Sequence, residues 1–152
     1  MPKSLFEESD YNAIRSRIEN LTPENTRQWG KMDIAQMLAH ASVPLEQATG
    51  KAPFKDESSF FLRTVVKWVV RGMIKKGAMG RNSPTAPSFV VTDARVFDAE
   101  KQRLLASLKE FHDKGLKGEL ASRHPGFGEY TTEEWGTLQH LHLDHHLTQF
   151  SA

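Results

Sequence analysis

Hydrophobic residues recur along the chain at spacings of three and four, the period of an amphipathic α-helix, in five separate segments. The predicted helices cover about residues 10–21, 34–49, 59–76, 98–114 and 132–150. No segment alternates apolar and polar residues for long enough to predict a strand, and the apolar run at 89–91 is too short for a sheet. The pattern therefore predicts an all-α protein with long connections before the fourth and fifth helices.

Capping residues mark several of these helix ends. Asp33 is a plausible N-cap of the second helix, and Gly50 is a natural stop. Thr131 and Glu134 have the spacing of a capping box at the start of the last helix. Pro44 lies well inside the second helix, where it removes a backbone donor. It predicts either a kink or an early end of that helix.

Composition limits the classes of protein to consider. At 152 residues the chain is expected to form a single domain over residues 1–152, with 38% hydrophobic and 26% charged residues. The net charge of +1 gives no signal for nucleic-acid binding, and no apolar run approaches the ~20 residues of a membrane span. The chain has no cysteine and no signal peptide is recognised. We therefore expect a cytoplasmic protein without nucleic-acid or membrane partners.

The third predicted helix is the most apolar, and it also carries a basic stripe of Arg63, Lys67, Arg71 and Lys75. Such a stripe is either a solvated helix face or a surface for an anionic partner, and we favour the solvated face. This helix has more apolar side chains than one face of a helical bundle buries. We therefore expect a subunit interface here and a homodimer.

Four of the seven histidines lie within residues 140–146. His142 and His146 are spaced i, i+4, so on a helix they lie one turn apart on one face. Both imidazoles can then reach one metal ion at about 2.0–2.1 Å. Such a pair is only half of a site, and the best further ligand is His40 in the second helix.

The histidine pair has two interpretations. An i, i+4 pair is usually two exposed polar residues, but here it replaces leucines in the middle of an apolar stripe, where polar rings need partners. His145 flanks this face and is a spare ligand, whereas His140 is expected to point toward solvent. His124 precedes a proline in a glycine-rich loop, where it either lines a pocket entrance or simply forms a turn.

Four stretches of the chain together resemble one family. The run of residues 142–149, the run Trp29–Met32 leading to His40, and the loop 124–131 with Trp135 resemble motifs of the DinB-like superfamily. Residues 82–87 are similar to a branch of that superfamily whose function is unknown. The resemblance covers nearly the whole chain.

The resemblance implies a four-helix bundle, here with an extra N-terminal helix and long connecting loops, that is often dimeric. It also implies a divalent metal on His40, His142 and His146. Some members of the superfamily transfer low-molecular-weight thiols, and others have no known activity. His145 matches a position that is not usually a ligand.

Three imidazoles would leave coordination positions for water or substrate, as in a catalytic site. We expect zinc or nickel, with iron or manganese as alternatives. Asp144 and Gln149 are candidates to hold the ligands' other N–H groups, and His145, His124 and Trp135 are pocket candidates.

The leading hypothesis is a metal-dependent thiol transferase or hydrolase that acts on a small molecule, with a low-molecular-weight thiol or a metal-activated water as nucleophile. The alternatives are a non-catalytic metal- or small-molecule-binding protein and a bundle braced by a structural metal. Neither the substrate nor the native metal follows from the sequence.

Overall fold

The computed structural model describes residues 2–52, 67–81, 89–121, 123–124 and 128–152. Its helices are α1 (Glu8–Glu19), α2 (Ile34–Thr49), α3 (Lys67–Lys76), α4 (Phe97–Leu116) and α5 (Thr132–Gln149). The all-helical prediction is confirmed. One small element is added to it, an antiparallel pair of two-residue strands, β1 (Arg123–His124) and β2 (Gly128–Glu129). None of the helices in these ranges has both the length and the hydrophobicity to cross a membrane.

Local side-chain chemistry fixes the start of α2 and of α5. Asp33 accepts a hydrogen bond from the Gln36 backbone at 2.8 Å, and the Gln36 side chain accepts one from the Asp33 backbone at 3.0 Å. The same reciprocal pair joins Thr131 and Glu134 at the start of α5, as predicted. Helix α2 passes through Pro44 and ends at Gly50, so the alternative of an early end is wrong.

The other helix ends differ from prediction by one or two residues. Helix α1 begins and ends two residues earlier than predicted. Helix α4 begins one residue earlier and continues two residues further, through Gly115. Helix α3 matches the second half of the predicted third helix, and residues 59–66 of that prediction lie outside the described residues.

Four helices form the bundle in the order α1, α4, α2, α5, each packing on the next and α5 returning to α1. Helix α2 packs most extensively on α4, and the described α3 packs on α5. The N-terminal helix α1 is therefore part of this ring, and the described residues of α3 pack on its α5 side. Large side chains fill the centre, among them Trp135, Phe111, Phe150, Leu38 and Leu104.

The segment before α1 covers one side of the bundle. The Leu5 side chain is buried, and its backbone N–H donates to the Gly136 carbonyl at 3.1 Å. The Phe6 ring stacks on Phe111 and occupies the space that a Cβ at position 136 would need. His112 is half-buried, and its Nδ1 donates to the Leu5 carbonyl at 2.6 Å. Glycine at 136 therefore allows this segment to lie directly against α5.

Some of the apolar side chains of the predicted third helix are exposed on the surface. Trp68 is 77% exposed and Val69 is 48% exposed. From the predicted basic stripe, Arg71 pairs with Glu134 of α5 at 3.0 Å, and Lys75 is exposed. Arg63 lies outside the described residues, as does the Lys67 side chain. The homodimer stays a prediction.

Candidate metal centre

Three imidazoles meet between α2 and α5. The Nε2 atom of His40 lies 3.0 Å from that of His142 and 3.0 Å from that of His146. His40 and His146 are buried, and His142 is half-buried. Among the described residues these three form the group whose nitrogen atoms converge closely enough to hold one metal ion. We call them the three-histidine centre.

The register of α2 against α5 brings these residues together. The Ala121 backbone N–H donates to the Ala48 carbonyl at 2.8 Å, and the Ala121 carbonyl accepts from Trp135 Nε1 at 2.6 Å. The end of α2 is thus tied to the start of α5, and the two helices run antiparallel. His40, two turns before the end of α2, therefore faces the second half of α5, where the histidine pair lies.

Hydrogen bonds determine which nitrogen carries the proton in two of the rings. His40 Nδ1 lies 2.7 Å from the Phe89 carbonyl oxygen, which can only accept, so Nδ1 is the donor. His146 Nδ1 lies 2.7 Å from Gln149 Oε1. Gln149 Nε2 donates to the Trp29 carbonyl at 2.7 Å, which leaves Oε1 as the acceptor for His146. Both rings therefore direct an Nε2 lone pair at the centre.

The loop before α2 holds Gln149 in this orientation. The Gln28 backbone N–H donates to the Gln149 carbonyl at 2.7 Å. Gly30 has φ +87°, and a Cβ there would lie 2.5 Å from Gln149 Nε2. Glycine is therefore required at position 30 both for its backbone conformation and for the close approach of the amide.

Burial keeps these imidazoles neutral. It lowers the pKa of His40, against the opposing effect of the hydrogen bond to Phe89. Burial and the neighbouring His40 lower the pKa of His146 to about 3, although the hydrogen bond to Gln149 opposes the change. A neutral imidazole is the form that binds a metal ion. Two rings of the centre are thus in the binding form at neutral pH.

The nitrogen separations fit a first-row divalent ion. Two nitrogens that are 3.0 Å apart and each about 2.05 Å from one ion subtend an angle of about 94° at the ion. A tetrahedral angle would require a separation of about 3.3 Å at the same bond length. Both separations from His40 Nε2 are therefore short enough for one ion to bind the two nitrogens of each pair.

Asp144 and His145 lie on α5 next to the ligands, and neither contributes to the converging atoms of the centre. The Asp144 carboxylate accepts from Arg17 Nη1 at 2.6 Å, which joins α5 to α1. The His145 ring lies beside the centre, 5.1 Å from the His146 ring and 5.4 Å from the Trp29 ring. It flanks the site, and its nitrogens are not among the converging atoms.

Of the other two pocket candidates, one is a core residue and the other has a side chain outside the described residues. Trp135 is completely buried, and its indole N–H is used by the Ala121 carbonyl, so it is a core residue that fixes the register of α5. His124 lies in β1, and its side chain is outside the described residues.

Two features of the site were not found from the sequence. His140 was expected to face solvent, but this is wrong, because α3 and the N-terminal segment cover that side of α5 and leave the residue 8% exposed. The Phe89 carbonyl that holds His40 is a backbone group from a loop 49 residues away. No sequence pattern marks a single carbonyl of this kind.

Comparison with known proteins gives a family and no function. Residues 3–152 match the model of the family described as protein of unknown function DUF1569, so the chain belongs to that family. No curated protein matches the chain. No solved structure matches it either.

Proposed function

We propose that this member of a family of unknown function is a divalent-metal-dependent enzyme of DinB-like type, with one ion held by His40, His142 and His146. One observation carries the proposal. The Nε2 lone pairs of His40 and His146 face each other at 3.0 Å, with no proton between them. Two buried acceptors at this distance repel each other, and a shared cation would turn that repulsion into attraction.

A catalytic site fits this donor set better than a structural one. Structural zinc sites usually have four protein ligands, whereas three imidazoles leave open positions for other ligands. A divalent ion here would supply Lewis acidity, favouring the deprotonated form of a thiol or water that reaches it. We therefore propose thiol transfer or hydrolysis on a small molecule as the reaction class.

The protein's own contribution is to hold the ligands before the ion arrives. The Phe89 carbonyl fixes His40, and the chain from Trp29 through Gln149 fixes His146. Partners of this kind set the tautomer and raise the basicity of the ligating nitrogen. The rings therefore need little reorganisation on binding.

Two buried amides suggest where a substrate would extend from the centre. Gln139 lies on the same face of α5 as His142, and Gln47 lies on the same face of α2 as His40. Each is at most 3% exposed, and each has an Oε1 that accepts no hydrogen bond within the described chain. Unsatisfied buried oxygens are rare in proteins. A substrate with N–H or O–H groups, bound between α2 and α5, would satisfy them.

Metal content tests the first part of the proposal. Untagged protein, loaded with zinc or nickel and dialysed, should contain about one ion per chain by elemental mass spectrometry. The double variant His142→Ala, His146→Ala should retain less than a tenth of this. The matched control is His145→Ala, which removes a neighbouring imidazole of the same helix and should leave the metal content unchanged. No metal after loading, or full retention by the double variant, would refute the site.

Thiol binding and turnover separate the enzyme from its alternatives. In cobalt-loaded protein, cysteine or glutathione should produce a thiolate-to-metal absorption band that is absent from the double variant. Loss of free thiol in the presence of an electrophile would then establish transfer, and release of acid from ester substrates would establish hydrolysis. A loaded site with neither reaction would indicate a sequestering protein. Strong metal dependence of melting without thiol binding would indicate a structural ion.

A further inference from the structure

A cavity lies on the side of α5 opposite the three-histidine centre. It has a volume of about 540 Å³, is open to solvent on one side, and is lined by α3, α5 and the N-terminal segment. That volume lies within the range of about 300–1,000 Å³ that is typical of small-molecule sites. Ile74 and Leu141 give it an apolar wall. The cavity can therefore accommodate an organic molecule rather than a single ion.

Positive charge dominates the rim of this cavity. Lys3, Lys75 and Lys76 line it, and none of these three forms an ion pair or hydrogen bond with another part of the described chain. The single carboxylate in the lining, that of Asp144, is already neutralised by Arg17 at 2.6 Å. A cavity lined by uncompensated charge of one sign concentrates ligands of the opposite sign.

A buried imidazole inside the cavity also lacks a protein partner. His140 lines the cavity, is 8% exposed, and makes no hydrogen bond to the described residues. The Thr137 hydroxyl lies one turn earlier along the same helix wall. Its ring nitrogens are not among the fully enclosed unpartnered atoms of the described residues, so they are accessible from the cavity. A ligand with hydrogen-bonding oxygens would supply that partner.

We propose that this cavity binds a small organic molecule with at least two negative charges, carried on phosphate or carboxylate groups. The lysines provide the charge, His140 and Thr137 provide hydrogen bonds, and the apolar wall contacts the carbon skeleton. The site is independent of the metal chemistry, because α5 separates it from the three-histidine centre. It is therefore a second ligand site, with a role in regulation or in binding a cosubstrate.

Calorimetric titration with two probes tests the proposal at constant ionic strength. Inorganic pyrophosphate represents phosphate ligands, and citrate represents carboxylate ligands. At least one should bind saturably with one molecule per chain. The variant Lys75→Gln, Lys76→Gln should weaken that binding at least tenfold. The matched control Lys31→Gln, Lys117→Gln removes the same charge from exposed positions outside the cavity and should leave the binding unchanged.

Both probes also chelate metals, so the titration is repeated on wild-type protein freed of metal by dialysis against a chelator. Binding should persist there, and the NMR signals of the His140 ring should shift on saturation. Binding that requires the metal, or that weakens equally in both double variants, would overturn the proposal. So would the absence of saturable binding by either probe at millimolar concentration. The metal-content experiment is unaffected by any of these results, so the two proposals fail separately.

Discussion

Two of the buried polar side chains on helix α2 meet opposite kinds of neighbour. Glu46 faces α4, where its carboxylate accepts hydrogen bonds from Arg103 at 2.7 and 2.9 Å and from Ser107 at 3.1 Å. His40 faces α5, where its Nε2 lone pair meets the lone pair of His146. The first cluster matches donors with acceptors, whereas the second brings acceptors together.

This difference separates a structural polar cluster from a ligand site. A buried carboxylate is tolerated when charge and hydrogen bonds compensate it within the fold, as Arg103 and Ser107 compensate Glu46. Lone pairs directed at each other have no compensation within the chain. A cation could therefore complete the three-histidine centre, while the Glu46 cluster is complete by itself.

Metal should change the stability of the whole protein through the three-histidine centre. At a free concentration of zinc or nickel about 1,000 times the Kd, binding adds about 4 kcal/mol to the free energy of unfolding. For a chain of this size that is an increase in Tm of roughly 8–16 °C. Calorimetry with and without metal measures it. An equal increase in the variant His142→Ala, His146→Ala would place the ion elsewhere.

Breaking the Glu46 cluster should destabilise the fold without affecting the metal. Arg103→Ala leaves the Glu46 carboxylate buried and unpaired, which costs 3–5 kcal/mol for a fully buried pair. The Arg103 side chain is 31% exposed, so water screens part of this and we expect about 2–3 kcal/mol in urea unfolding.

The control for this experiment replaces both partners. In Glu46→Leu, Arg103→Met neither charge remains buried, so the cost should be clearly smaller than for Arg103→Ala. Metal stoichiometry should remain at wild-type level in both variants. Loss of metal in either variant would show that the two clusters on α2 are coupled, which would contradict their independence.

Removing the support of His146 should weaken metal binding. Gln149→Leu deletes the acceptor that holds His146 Nδ1 and should reduce metal affinity about 10- to 100-fold, as measured by competition with a chelator. The variant Gln149→Glu keeps an acceptor and should lose less metal affinity than Gln149→Leu. If Gln149→Leu binds metal as tightly as the wild type, the tautomer of His146 is set by another group.

Acid should affect the two clusters over different pH ranges. In the folded, metal-free protein the pKa of His40 and of His146 is lowered, chiefly by burial, from 6.5. The unfolded chain therefore takes up protons first, and the stability that these neutral rings contribute is present above pH 6.5 and lost as the pH falls below it. Metal affinity of the folded protein should fall only at lower pH, as the pH approaches these lowered pKa values and protons compete for the ligand nitrogens.

Glu46 should respond only at lower pH and with the smallest effect. Burial alone would raise the pKa of Glu46, but the hydrogen bonds and charge of Arg103, with the Ser107 hydroxyl, outweigh it and lower the pKa from 4.5. The stability that Glu46 contributes is present above its pKa in the unfolded chain. It is lost as the pH falls through its pKa in the folded protein. In urea unfolding of metal-free wild-type protein, the free energy of unfolding should therefore fall as the pH is lowered from 6.5 to 4.5. The fall should be shallower in the double variant His142→Ala, His146→Ala. Below pH 4.5 both proteins should lose the Glu46 contribution, and the wild type should keep the steeper slope until the pH reaches about 3, the folded pKa of His146.

The sequence by itself determined the features that depend on near neighbours along the chain. Helical periodicity predicted the five helices, and the reciprocal bonds of Thr131 and Glu134 set the start of α5 because both partners lie within one turn. The spacing of His142 and His146 likewise placed both on one side of α5. Each of these follows from the geometry of a single helix.

Only the tertiary structure decided which surface each helix face meets. It brought His40 to partners 102 and 106 residues away, and it supplied the Phe89 carbonyl that fixes the His40 tautomer. It also covered His140, which the helical wheel alone had placed toward solvent. The physical reason is that periodicity specifies the direction of a side chain around its own axis, whereas burial and binding depend on the packing of other segments against that direction.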